Sequence, residues 1–243
     1  MRTISVGATM TCLCDRSAIV DNSRIAPGLV ITGFSSTGRT LWEHAPNSGI
    51  SSNGFTLARH RLLSSEYLKK YPEISDPAVP ADIAYQGNTD LDTPVPGLHM
   101  PVGEALLSPT RTYAPFLVAL FDEVGPARIT GLVNNTGGGL TKSLNFGVGI
   151  TYVKDSPFAV PPLFRMIRES GATPVPWREM YRVFNMGHRL ELISTPEVSA
   201  RAIKIADSFR LEGKVIGRTE GSSDGRNRVH VTMPDGTIEH YER

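Results

Sequence analysis

The chain has 243 residues, with 25 Lys and Arg against 24 Asp and Glu and a formal net charge of +1. That length buries a sizeable core, in one large domain or in one domain with an appendage. The charge balance excludes an electrostatic footprint for nucleic acid or an anionic membrane, and no apolar run approaches the ~20 residues of a membrane span. The opening residues lack the apolar core of a signal peptide, so a cytoplasmic protein with small, neutral or locally bound anionic ligands is expected.

In residues 3–14 the alternation of Ile4, Val6, Ala8, Met10 and Cys12 predicts a strand with one apolar face. Such a strand needs neighbours and a covering layer, so its place at the terminus hints at a missing part, and its apolar face is expected to be covered by another chain or by a rearranged element. Cys12 and Cys14, the only cysteines, would face the same way there as reduced, buried thiols without a disulfide. The histidines are scattered without metal-ligand spacing, and no metal site is predicted.

Residues 21–28 read as a turn and residues 29–34 as a short buried strand. A long polar loop follows, in which Ser52 or Asn53 caps a helix whose face is Phe55, Ala58 and Leu62; the free amides at such a helix start favour a phosphate. Residues 64–104, rich in Pro, Asp and Gly, exceed an ordinary connection and predict a lid over a cleft or a packed decoration. Ser108 and Pro109 predict the entry of a helix with the stripe Leu117, Leu120, Phe121 and Val124, with Pro115 in or before its first turn. Arg111, ahead of that helix, is placed to reach an anionic ligand. Residues 129–133 form a strand ending at three glycines, a loop that lets backbone approach a ligand but lacks dinucleotide and P-loop fingerprints.

Residues 147–153 predict a strand. Pro161 and Pro162 start a helix closed by Gly171. In residues 177–192 the hydrophobic period changes: Met180 and Phe184 fit a helix face, whereas Leu190 and Leu192 alternate with Arg189 and Glu191 as in a half-buried strand. The switch falls on Asn185, Met186 and Gly187, a tight stop that leaves amides and the Asn carboxamide facing a cleft; taken alone, it is an ordinary helix cap. Thr195, Pro196 and Glu197 start a helix with the stripe Val198, Ala202, Ile205 and Phe209, and Val215 and Ile216 begin a strand. Across Pro234, Asp235 and Gly236 a hairpin pairs Val229, Val231 and Met233 with Ile238 and His240. Strands alternate with helices, but hairpins also occur, so the fold class is α/β or α+β, a layered domain with a mixed sheet flanked by helices.

Five blocks in order, SNG at 52–54, PTRTYAP at 109–115, TGGG at 136–139, PPLFRMI ending at Ile167 and EMYRVFNMG at 179–187, resemble the carboxy-terminal domain of aminoimidazole ribonucleotide (AIR) synthetase, phosphoribosylformylglycinamidine cyclo-ligase. The resemblance covers nearly the whole chain. It implies that residues 1–28 are the last strand and connector of an amino-terminal domain otherwise absent, that 29–243 form the carboxy-terminal domain, and that 64–104 is an insertion or lid. The implied reaction is ATP-dependent cyclisation of formylglycinamidine ribonucleotide in purine biosynthesis. ATP and Mg²⁺ would be held mainly by the missing domain or subunit, which would be a partner along with the phosphoribosyl substrate and a second copy in a homo-oligomer, a dimer.

Carried over residue by residue, the substrate-binding positions are Ser52, Asn53, Gly54, Thr136, Gly137, Gly138, Gly139, Asn185 and Gly187, followed by Thr110 and Arg111. No catalytic residue and no metal ligand is assigned. Two departures stand out. Ser51 and Asn134 occupy positions where many members carry His, and neither shuttles a proton near neutrality as imidazole does. His188 and Arg189 replace a small or apolar residue and a Gly, and are expected in or beside the cleft. His188 there is either a substitute imidazole or a surface residue. A non-catalytic binding or partner module derived from the family is the alternative, and a relative elsewhere in the wider ATP-dependent superfamily is a third; EMYRVFNMG favours AIR synthetase over that third.

Overall fold

The computed structural model describes residues 9–80 and 82–242. Its centre is a seven-stranded mixed sheet of β1 (Val30–Ser35), β4 (Gly131–Asn134), β5 (Ile150–Lys154), β6 (His188–Ser194), β7 (Gly213–Gly221), β8 (Arg228–Thr232) and β9 (Ile238–Glu242), while β2 (Thr37–Gly38) and β3 (Asn47–Ser48) form a separate ladder. The order is β4-β6-β1-β7-β5-β8-β9, antiparallel except where β5 meets β8. The helices are α1 (Phe55–Leu62), α2 (Ser65–Lys70), α3 (Val102–Leu107), α4 (Ala114–Val124), α5 (Pro162–Glu169), α6 (Trp177–Val183) and α7 (Pro196–Ser208).

Helices cover both faces of the sheet. On one, Phe116 and Leu120 of α4 and Ala202 and Ile205 of α7 pack on Phe34, Leu190 and Leu192. On the other, Ala58 and Leu62 of α1, Phe164 of α5 and Met180 of α6 join Ile31, Tyr152, Ile193 and Ile216. Central strands are therefore buried on both sides, and β6 is not the half-buried strand its alternation predicts: Glu191 is as buried as Leu192.

Local signals hold best where the chain caps itself. Thr195 accepts the Val198 amide and Pro196 occupies the first turn of α7. Elsewhere tertiary bonds override them. Ser108 ends α3 rather than starting α4, because Ser108 Oγ accepts the Ser48 amide at 3.2 Å and the Pro109 carbonyl accepts Asn47 Nδ2 at 2.7 Å. Gly54, at φ 80°, takes the cap position of α1, and neither Ser52 nor Asn53 caps it with a side chain. The final hairpin is shifted: Met233 closes on Thr237 at 2.7 Å, so Thr232 faces Ile238 and Val229 faces Tyr241, leaving Ile238 exposed.

The segment 64–104 is stitched to the core. The Gln86 amide donates to the His60 carbonyl at 2.7 Å and the Thr89 amide to that of Leu62 at 3.1 Å, while Ala84, Tyr85, Val95 and Val102 are buried. The predicted amino-terminal strand is corrected in part. Residues 9–15 form no strand, nothing among the described residues covers Met10 or Leu13, and Cys12 and Cys14 are free but exposed, because no layer packs on that face. The remainder of that strand, residues 3–8, lies outside the described residues.

Candidate functional site

Three punctuated corners meet at the carboxy-terminal end of α6. Gly54 packs against it so closely that a Cβ would sit 2.9 Å from Val183 Cγ1 and overlap the Phe184 ring. Gly139, at φ 50°, passes the backbone oxygens of Tyr181 and Phe184, each of which would lie 2.5 Å from a Cβ. Only glycine combines a positive φ with that approach. The first corner also touches the second directly, a Cβ on Gly137 falling 3.5 Å from Asn53 Nδ2. Ser52 and Gly137 are exposed, and Asn53, Gly54, Thr136 and Gly138 are half-buried, so the first two corners carry hydroxyl, amide and backbone groups that reach solvent where Asn53 and Gly137 meet.

The third corner supports this surface from beneath. Asn185 is buried, and its carboxamide does not face a cleft. Its oxygen accepts the Ser36 hydroxyl at 2.9 Å and the Gly187 amide at 3.0 Å, and its nitrogen donates to the Gly49 carbonyl at 2.9 Å. The left-handed residues are Met186 and Gly187, at φ 48° and 102°, not Asn185. Asn185 and the buried Gly187 therefore frame the site instead of touching a ligand.

Arg111 is likewise corrected. It is 5 % exposed and all five of its donors are taken: Nε and one Nη2 hydrogen by Glu43 at 2.9 and 2.7 Å, and the others by the carbonyls of Ser35, Thr37 and Gly38 at 2.8–2.9 Å. Nothing is left for an anion. Burial pushes the Glu43 carboxyl up, but Arg111 and Thr40 outweigh it and hold the group below its ordinary value. Thr110 lines a different cleft, beside Arg189 and Asn134.

Beneath the glycine loop lies a charged cluster that no motif announces. Lys154, at the end of β5, reaches Glu191 of β6 at 2.8 and 2.9 Å, although β1 and β7 separate their strands. Lys154 also donates to the Leu140 carbonyl at 2.7 Å, and Asn135 Nδ2 donates to Glu191 at 2.8 Å. Asn135 immediately precedes the TGGG loop and Leu140 immediately follows it. One buried carboxylate, through its two partners, thus anchors both ends of the loop.

Burial draws the Lys154 ammonium down, opposed by Glu191; burial pushes Glu191 up, but Lys154 and His188 reverse this and hold it at about 2. His188 completes the cluster, with Nε2 at 3.1 Å from Glu191 and its ring stacked on Phe158 at 5.4 Å. Burial lowers its pKa, leaving a neutral imidazole that donates from Nε2 while Nδ1 has no partner among the described residues. It is fully buried, so it is neither a surface residue nor an imidazole open to a ligand.

A bulge explains this sorting. Against β1, Phe34 pairs with Leu190 but Ser35 pairs with His188, so Arg189 is the extra residue. The extra residue places His188 on the same face as Glu191, three positions away, and turns Arg189 toward the opposite face. The legible signals were a Lys closing the apolar run ITYVK and a Glu inside LELIS, charges set within strands that are otherwise buried.

A family model described as AIR synthase related protein, C-terminal domain, matches residues 26–230. The phosphoribosylformylglycinamidine cyclo-ligase of Methanopyrus kandleri is 36% identical over 206 residues, 84% of this chain and 47% of that protein. The enzyme of the same name from Carboxydothermus hydrogenoformans is 33% identical over 223 residues, 89% of this chain and 52% of that one. The chain spans about half the length of the curated relatives it matches. Among solved structures, T. maritima PurL complexed with FGAR is similar over 93% of this chain and 29% of its own, at TM-score 0.43 and 16% identity. The hydrogenase maturation protein HypE is similar over 90% and 54%, at TM-score 0.46 and 16% identity.

Proposed function

The chain belongs to the AIR synthase related family, matched in that family's carboxy-terminal domain, and from this we propose that it is the carboxy-terminal half of a phosphoribosylformylglycinamidine cyclo-ligase. Together with an amino-terminal domain or subunit it would close formylglycinamidine ribonucleotide to aminoimidazole ribonucleotide at the expense of ATP. The reading is supported above all by the meeting of the three corners on the end of α6. Their exposed and half-buried groups, at Ser52, Asn53, Thr136, Gly137 and Gly138, form the substrate face; Gly54, Gly139, Asn185 and Gly187 shape it.

Ring closure of this kind depends on positioning and on neutralising phosphoryl charge, so a surface of backbone and hydroxyl donors on a rigid base suits it without a conspicuous nucleophile. Among the described residues no group of three or more His, Cys, Asp or Glu could hold a metal ion. In this reading the main ATP and Mg²⁺ ligands belong to the amino-terminal half. The family match begins at residue 26, in keeping with a boundary near residue 28, and the packed segment 64–104 is read as an insertion. No helix among the described residues is long and apolar enough to cross a membrane. A cytoplasmic homo-oligomer completes the proposal.

The test is reconstitution. The chain is mixed with a separately expressed amino-terminal half of the M. kandleri relative, and aminoimidazole ribonucleotide and ADP are followed from formylglycinamidine ribonucleotide and ATP. Turnover that requires both parts is expected; a pair that co-purifies yet forms no product would overturn the reading.

A further inference from the structure

A hairpin turns β8 back as β9 at the edge of the sheet, and it sets His230 directly opposite His240. We propose that this histidine pair chelates a divalent late first-row transition cation, Cu²⁺ most strongly, and so clips the edge strand to its neighbour. The inference uses neither the three corners nor the cyclo-ligase reading, and His240 lies beyond the residues that the family model matches.

Register brings the two rings together. The Met233 amide donates to the Thr237 carbonyl at 2.7 Å, so those two form a hydrogen-bonded pair, and alternation along the antiparallel ladder makes His230 and His240 a non-hydrogen-bonded one. The His240 carbonyl accordingly points away from β8, where it accepts Arg178 Nη1 at 2.9 Å. In such a pair the side chains stand closest and share a face. That face is the outer one, because the alternate residues Val229, Val231 and Tyr241 fill the core. His240 is exposed and His230 half-buried, with ring centroids 4.3 Å apart at an interplanar angle of 76°. Nδ1 of His60 accepts the Tyr85 amide and Nε2 of His188 reaches Glu191, whereas neither ring of this pair has a hydrogen-bond partner among the described residues.

The surrounding charges favour a cation. Arg218 is held by Asp155 and Glu220, and Arg228 by Asp224 and Glu242, so two positive groups beside the pair face four negative ones. Among the described residues no group of three or more His, Cys, Asp or Glu could hold a metal ion, so water completes the shell and the site is open and exchangeable. Imidazole ligands suit copper, nickel and zinc, oxygen ligands suit magnesium and calcium, and Cu²⁺ heads the Irving–Williams order. An ion about 2.0–2.1 Å from each nitrogen needs the two nitrogens roughly 3 Å apart, which a turn of the exposed His240 ring supplies. The two rings are neighbours only in the folded chain, so the ion stabilises the fold.

The experiment uses the full chain with Cys12→Ser and Cys14→Ser, which removes the exposed thiols as competing ligands. Calorimetry with copper(II) chloride near neutral pH is expected to show one ion per chain, bound with a Kd on the order of 10 µM, with nickel(II) chloride weaker and magnesium chloride without effect. Electron paramagnetic resonance of the bound Cu²⁺ should show coupling to two imidazole nitrogens, and the ion should raise the thermal unfolding midpoint. His230→Gln and His240→Gln should each weaken binding at least ~10-fold and abolish the thermal shift. Either change breaks the chelate, so the double variant should lose less than the two single losses combined. His44→Gln, at an exposed position elsewhere, should bind as before.

Neither imidazole bonds to the rest of the fold, so both single variants should stay folded, checked by circular dichroism. Were His230→Gln unfolded, His240→Gln and the spectrum of the bound ion would carry the test. No binding tighter than ~1 mM, unchanged affinity in either variant, coupling to fewer than two nitrogens, or displacement of the copper by excess Mg²⁺ would overturn the site.

Discussion

Replacing Lys154 with Met removes the only cation, among the described residues, within hydrogen-bonding distance of a carboxylate that is 0% exposed. Breaking a buried ion pair from one side costs ~3–5 kcal/mol, because the remaining charge stays desolvated. The direction agrees: Lys154, together with His188, holds the Glu191 carboxyl at about 2, below its ordinary value, against the pull of burial. The Leu140 carbonyl also loses its donor, adding ~1 kcal/mol. Urea unfolding followed by the fluorescence of Trp42 and Trp177 should therefore show Lys154→Met less stable by roughly 3–5 kcal/mol at pH 7.5.

The pH dependence gives the sharper check. Without Lys154, burial raises the folded-state pKa of Glu191 above its unfolded value. Such a group contributes stability that is present below the unfolded pKa and lost as pH rises through the folded one. The deficit should be widest at neutral pH and narrow toward pH ~4.5. In the double variant Lys154→Met, Glu191→Leu most of the loss should return, since apolar replacement of a buried pair is often neutral. A single-variant loss below ~1 kcal/mol, or a double variant no better than the single, would refute the clamp.

Three further outcomes follow from the same geometry. His188 is neutral in the fold with a lowered pKa, so the unfolded chain takes up a proton that the folded chain refuses as pH falls below ~6.5, and stability drops; His188→Gln should flatten that slope by up to ~1.4 kcal/mol per pH unit, read as the difference from the unaltered chain. Gly54→Ala, at φ 80° against Phe184 and Val183, should lose roughly 2–3 kcal/mol in denaturant unfolding, whereas Gly225→Ala, at φ 76° with nothing within 4 Å, should lose only ~1 kcal/mol; equal losses would contradict the packing account. Arg111→Lys keeps the charge but not the planar five-donor fork, and a fall in stability of ~3 kcal/mol is expected by thermal and urea unfolding, with no recovery on adding inorganic phosphate.

How the chain is divided was readable residue by residue, because caps, helix stops and left-handed corners are short-range chemistry. Thr195 and Pro196 start α7 as expected, and Gly54, Gly139 and Gly187 are glycines where backbone must pass close or turn left-handed. The motif order placed the corners, and their packing on one helix end agrees with it. Side-chain destinations were not readable, since they depend on which strands become neighbours. Asn185 and Arg111 are the polar residues most readily aimed at a ligand, yet Arg111 is consumed by groups at least 68 positions away in sequence, and Asn185 by Ser36 and Gly49, more than 130 positions away, besides the nearby Gly187 amide. Lys154 and Glu191 meet only because the sheet order brings β5 and β6 over a common face, and one extra residue in β6 decides that His188 joins them while Arg189 turns the other way. Local chemistry marks where a chain can bend; desolvation and the exchange of buried hydrogen bonds determine which groups remain free once it has.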